Sequence, residues 1–120
     1  MPAHIAVVLA EDEPLIRMAA AAALRDEGFD VMEAESAEEA LDILHAHAWD
    51  VHVPFTDIHM AGSMDGLALA HHAALHWPWI SFLIASGRAR PGDTELPTRS
   101  RFVAKPYSHD HVINHIREMV

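Results

Sequence analysis

The sequence predicts an α/β protein built on a parallel sheet, and three observations predict it. Short apolar runs (Ile5–Leu9, Val51–Thr56, Ile80–Ala85, Phe102–Ala104) alternate with segments whose apolar residues recur every three to four positions. That is the pattern of buried strands separated by core-facing helices. Ile80–Ala85 is the most continuously apolar run, as a strand covered on both faces should be. Three runs also end in charge: Glu11-Asp12-Glu13 follows the first, Asp57 the second, and Lys105 the last. Ligands of parallel sheets sit outside the carboxyl ends of the strands, so these acids and the lysine are expected to meet there.

Composition bounds the rest. A chain of 120 residues is expected to be one domain, 1–120, large enough to bury a core without staples. Hydrophobic residues make up 51%, yet no apolar run is long enough to cross a bilayer and no charged-then-apolar leader is evident. A soluble, cytoplasmic protein with no membrane insertion is expected. With no cysteine, disulfide and thiolate chemistry are excluded, which fits a reducing compartment. A net charge of −10 argues against direct nucleic-acid binding, which rests on Lys and Arg contacts to phosphate.

Element by element, Pro14 suits a first helical turn and Gly28 marks a stop, so the first helix is expected over 14–27 with Ile16, Ala19, Ala20, Ala23 and Leu24 facing the core. Val31–Ala34 is a short second strand. Ser36 and Glu39 form a capping box ahead of a helix with Ala37, Ala40, Leu41, Leu44 and Ala48 on one face. The third strand conflicts with Pro54, which cannot donate to a ladder. A loop through Gly62 and Asp65 leads to a helix carrying Leu67, Ala70, Ala74 and Leu75, closed by Trp77-Pro78. After the fourth strand and Ser86-Gly87, the stretch from Arg88 to Ser100 holds Pro91, Gly92 and Pro97, leaving room for about two helical turns at most. Ser108 caps a last helix with Val112, Ile113, Ile116 and Met119 on one side.

Five strand–helix units with acids after strands one and three, Ser86 after strand four and Lys105-Pro106 after strand five resemble the receiver domain of two-component response regulators, over the whole chain. The resemblance implies a flavodoxin-like, doubly wound sheet of order 2-1-3-4-5, here with a shortened or irregular fourth helix. It implies that Asp57 is the phosphoacceptor, Asp12 a direct Mg2+ ligand, Glu11 a ligand acting largely through water, and His59 a ligand through its backbone carbonyl. Lys105, across a cis peptide to Pro106, and the Ser86 hydroxyl would meet the phosphoryl group, and Phe102 would be the switch aromatic. The partners implied are a histidine kinase or histidine phosphotransfer protein and an unknown downstream protein, with no enzymatic activity beyond self-phosphorylation and self-dephosphorylation at Asp57.

The chemistry supports these roles. In that strand order Glu11, Asp12 and Asp57 crowd together, and like charges so close raise one another's pKa unless a cation intervenes. An all-oxygen donor set suits Mg2+. A carboxylate can then attack phosphorus to give an acyl phosphate, with Lys105 and Ser86 meeting charge spread over three oxygens. Three departures from the family pattern stand against this: Ala61 where the loop after the phosphoacceptor usually has Pro, Pro54 inside the strand, and the irregular stretch after Ser86. They favour the alternative of a phosphorylation-independent interaction module. A flavin-binding or hydrolytic enzyme fares worst, since Glu11-Asp12-Glu13 would repel a phosphate. Eleven histidines include two pairs at i, i+4, His72/His76 and His111/His115, without a third ligand legible in the sequence.

Overall fold

The computed structural model describes residues 4–87, 96–97 and 99–120. In chain order it contains β1 (Ala6–Ala10), α1 (Pro14–Asp26), β2 (Asp30–Ala34), α2 (Ala37–His47), β3 (Val53–Asp57), α3 (Gly66–His76), β4 (Phe82–Ser86), β5 (Ser100–Ala104) and α4 (His109–Met119). The strands form one sheet of order β2-β1-β3-β4-β5, every neighbouring pair parallel. This is the expected doubly wound, flavodoxin-like arrangement. The expected irregular helix after Ser86 falls almost wholly outside the described residues.

Alternation along the strands sorts side chains to two faces. Val8, Ala10, Phe82 and Ile84 pack with Leu44 of α2 and Leu69 and Ala73 of α3. Val7, Leu9, Val53, Phe55, Leu83 and Val103 pack with Ala20, Ala21 and Leu24 of α1 and with Ile113 and Ile116 of α4. The strand ends at the carboxyl rim are thereby fixed between two helical layers.

Local signals set most boundaries. Ser36, Asp65 and Ser108 each accept a hydrogen bond from the backbone N–H three residues on, from Glu39, Ala68 and His111 at 3.0, 2.8 and 3.1 Å, satisfying donors that a helix start leaves unpaired. Gly28 ends the first helical unit with φ +89°, a conformation that Gly adopts without a Cβ penalty.

Pro54 proves compatible with a central strand. It lies opposite Val8 of β1, and the register with β4 begins only at Phe55. The missing donor therefore falls at the second residue of β3, ahead of the fully paired segment that carries Asp57.

Two helical faces differ from expectation. On α1 the buried residues are Ala20, Ala21 and Leu24, whereas Ile16 is 44% exposed and Ala19 is exposed. On α3 they are Gly66, Leu69, Ala70 and Ala73, and Leu75 is 84% exposed. Both helices are apolar nearly all round, so periodicity alone leaves the inward direction open. Arg17 helps set it on α1, since its guanidinium donates to the Glu11 carbonyl at 2.8 Å and lies 3.6 Å from the Glu33 carboxylate.

Candidate functional site

Three of the predicted polar groups converge at the carboxyl rim. Asp57 ends β3 and Glu11 follows β1, its neighbour, while Lys105 follows β5 two strands away on the other side. The Lys105 ammonium donates to Asp57 Oδ2 at 2.9 Å and lies 3.6 Å from Glu11 Oε1. One cation thus serves two carboxylates. Lys105 is held at the rim by its own N–H, which donates to the Ser86 carbonyl at 2.9 Å and extends the β4–β5 ladder past the strand end; the peptide bond to Pro106 is cis.

Electrostatics follow from burial. Glu11 is 4% exposed, and burial pushes its carboxyl up from the ordinary range. Asp57 and Asp12 add to this, while the Glu13 amide and Lys105 pull back without cancelling it. Burial alone would lower the Lys105 ammonium, but its hydrogen bond to Asp57 and the charges of Asp57 and Glu11 outweigh burial and hold it above its usual value.

The sign for Glu11 is that of a raised acid: its contribution to stability is fully present below pH 4.5 and is lost as pH rises through the folded-state value. Glu11→Gln should therefore stabilise the ion-free protein at pH 7, raising the melting midpoint by roughly 3–5 °C, on the order of 1 kcal/mol. It should also flatten the melting curve's pH dependence between pH 4.5 and 7. A midpoint that stays put or falls would show that Lys105 already compensates the charge.

The remaining predicted residues are less uniform. Asp12 is half-buried, its Oδ2 accepting the Ala61 backbone N–H at 2.8 Å while its carboxylate also stands against that of Glu11. Among the described residues no three His, Cys, Asp or Glu side chains are arranged to hold a metal ion. Ser86 is 1% exposed and follows Ala85, the residue opposite Asp57 in the β3–β4 register. His59 is exposed. Phe102 is half-buried and packs against the α2–α3 side of the core, as an ordinary core aromatic also would.

Other residues of the site escaped the sequence reading. The Thr56 hydroxyl, buried, donates to the Asp57 carbonyl at 3.0 Å. Gly66 lies so close that an added Cβ would stand 2.0 Å from the Asp57 carbonyl oxygen, and its N–H donates to the Ile58 carbonyl at 2.8 Å. The small residue is needed for close approach, and the only signal for it was a glycine at a helix start. Tyr107 packs edge-on against Phe55 at 5.6 Å between ring centroids. Burial, aided by Glu11 and Asp57 against Lys105, pushes its hydroxyl up. Lys105-Pro106-Tyr107 thus folds over the rim as a unit.

Histidines collect elsewhere. His72 and His76 stack at 4.3 Å between ring centroids, with His45 of α2 at 6.4 and 5.8 Å from them, and His111 stacks on His115 at 4.8 Å. Trp49 and Trp79 stack at 4.7 Å and line a cavity of about 580 Å³ with Ile5, Val51 and His52, which precede β1 and β3. They therefore lie at the opposite end of the sheet from Asp57, and their fluorescence is a poor reporter of ion binding at the rim.

The family model described as the response regulator receiver domain matches residues 7–117. The chain belongs to this family. The receiver is 33% identical over 117 residues to the sensor kinase CckA of Brucella abortus (strain 2308), covering 95% of this chain and 12% of that protein. It thus spans about an eighth of its curated relative. Among solved structures it resembles the receiver domain of a hybrid histidine kinase CckA, with TM-score 0.82, 27% identity, and 95% and 97% of the two chains covered. The response regulator TrrA of Thermotoga maritima, solved in complex with Mg2+ and BeF, shares the fold, with TM-score 0.86, 21% identity, and 97% and 99% of the two chains covered. Among the described residues no helix of the receiver is long and apolar enough to cross a membrane.

Proposed function

We propose that this receiver, one unit over residues 1–120, takes a phosphoryl group onto Asp57 from a histidine kinase or histidine phosphotransfer protein and signals to a downstream partner through a shifted conformational population. The observation that carries the reading is the Lys105 ammonium 2.9 Å from Asp57 Oδ2 and 3.6 Å from Glu11 Oε1, which joins residues 94 positions apart in one polar pocket. A structural salt bridge needs one acid, and the second, buried acid makes the pocket a site for additional positive charge.

Glu11, Asp12 and Asp57 offer only oxygen donors, the set a hard divalent ion takes. The raised Glu11 carboxyl marks buried negative charge that Lys105 leaves only partly compensated. These residues fit Mg2+, with the His59 carbonyl as a further oxygen. Mg2+ would supply the charge that lets three carboxylates coexist with an incoming phosphoryl group. Asp57 supplies the attacking oxygen: the new bond joins its carboxylate oxygen to phosphorus as the bond to the donor atom breaks, and the donor keeps that electron pair. Lys105 then transfers its hydrogen bond from the carboxylate to a phosphoryl oxygen, and Ser86, one residue past the Asp57 register partner, donates its hydroxyl to another. Beyond forming and hydrolysing its own acyl phosphate, the receiver performs no catalysis in this reading.

A small acyl-phosphate donor with Mg2+ tests it. Wild type should gain hydroxylamine-sensitive phosphate at one equivalent or less per chain, and Asp57→Asn should gain none. Equal labelling of the two proteins, or none in either, would sink the assignment. The second outcome would favour a phosphorylation-independent interaction module, the reading that Ala61, Pro54 and the irregular stretch after Ser86 support.

A further inference from the structure

We propose that the cavity at the amino end of the sheet, opposite Asp57, is a binding site for a planar aromatic anion of the size class of a purine mononucleotide, held between the Trp49–Trp79 stack and the Arg99 guanidinium. Such a site is independent of phosphoryl transfer at Asp57.

The floor of the cavity follows from the strand order. Ile5, His52, Ser81 and Arg99 are the residues immediately before β1, β3, β4 and β5, four strands adjacent in the sheet, and all four line one cavity of about 580 Å³. That volume lies within the range of small-molecule sites, which combine apolar and aromatic walls with a few placed polar groups. The aromatic wall is the indole pair. Trp49 stacks on Trp79 at 4.7 Å between ring centroids and 19° between planes, so one of its faces is covered, yet Trp49 remains 86% exposed. Its other face is open, and a further flat ring can stack there at a similar spacing.

Charge chooses among flat guests. Among the described residues Arg17, Arg25, Arg101, Lys105 and Arg117 each pair with a carboxylate, and Arg99 pairs with none. Its Nη1 donates to the Trp79 carbonyl at 2.9 Å, which fixes the guanidinium beside the stack and leaves its other N–H groups unclaimed among the described residues. Arg117, whose charge is met by Glu27 at 2.8 Å, lines the same cavity. His52 adds a donor: its Nδ1 accepts the Ala6 N–H at 2.9 Å, so the ring proton sits on Nε2. In a chain of net charge −10, an arginine without a described carboxylate beside two exposed indoles is a local exception. It favours an anion over the neutral or cationic aromatics that a Trp pair by itself would accept.

The test is a titration of the whole chain with GMP and with guanosine, the same base without the phosphate, followed by tryptophan fluorescence and amide NMR. GMP should change the fluorescence saturably and shift the amides of His52, Ser81 and Arg99 while sparing those of Asp57 and Lys105. It should bind about tenfold more tightly than guanosine, the worth of one hydrogen bond to a charged group, and Arg99→Gln should erase that preference while leaving guanosine binding unchanged. Trp49→Ala should weaken both by about fivefold or more, as loss of one stacking surface does. Both side chains are exposed, so neither variant should alter the fold, and Asp57→Asn should bind GMP as wild type does. No saturable response up to about 10 mM GMP, shifts confined to the rim around Asp57, indifference to Trp49→Ala, or equal affinities of wild type for GMP and guanosine would each overturn the site.

Discussion

Gly66→Ala should destabilise the receiver by about 3 kcal/mol or more, because overpacking against a fixed backbone atom cannot relax by a side-chain rotation. The added Cβ would fall 2.0 Å from the Asp57 carbonyl oxygen and 2.9 Å from the Thr56 hydroxyl. To make room, the start of α3 must move off the end of β3, breaking the bond from the Gly66 N–H to Ile58 and shifting Asp57 relative to Lys105. Urea unfolding should show a lower midpoint, and any folded fraction should take up phosphate more slowly than wild type. Gly28→Ala is the matching control. Nothing lies within 4 Å of its added Cβ, and its φ of +89° alone penalises the substitution, by about 1–2 kcal/mol. Equal losses for the two variants would mean that the contact at Asp57 is not what requires Gly66.

Lys105→Met removes the charge while keeping most of the side chain's bulk, and its effects should depend on pH. The Lys105 ammonium is held above its usual value, so in wild type its contribution is fully present below pH 10.5 and is lost as pH climbs through the folded-state value. The variant should lack that alkaline loss. It should lose more stability than wild type as pH rises above 4.5, because Glu11, already raised by burial, then has no cation beside it to offset its charge and that of Asp57. At pH 7 the cost should be roughly 1–3 kcal/mol, below the range for a broken fully buried pair because the Lys105 side chain keeps 26% of its exposure. Added Mg2+ should restore part of it. Phosphate uptake at Asp57 should fall by tenfold or more, since the group that meets a phosphoryl oxygen is gone. Chemical unfolding across pH 4.5–11 measures the first effects and acyl-phosphate labelling the last. A variant as stable as wild type at pH 7, with an unchanged pH profile, would show that the Lys105 contacts do not govern the charge of the site.

The sequence by itself determined the architecture and the identity of the polar rim. Apolar runs of strand length and residues such as Ser36, Gly28 and Ser108 act through their own neighbours, so their meaning survives in one dimension, and the strand ends carrying Glu11, Asp57 and Lys105 could be read the same way. The family resemblance then supplied the strand order. Only the tertiary structure decided which faces of α1 and α3 turn inward, because helices apolar nearly all round hold no internal reference for direction. It alone placed Pro54 ahead of the paired stretch of β3, and showed that Gly66 is small because it abuts the Asp57 carbonyl. It also turned Asp12 onto Ala61, leaving Lys105 to serve Glu11 and Asp57. Each of these depends on distances between residues remote in the chain, and a hydrogen bond spanning 49 positions leaves no periodicity for a sequence to display.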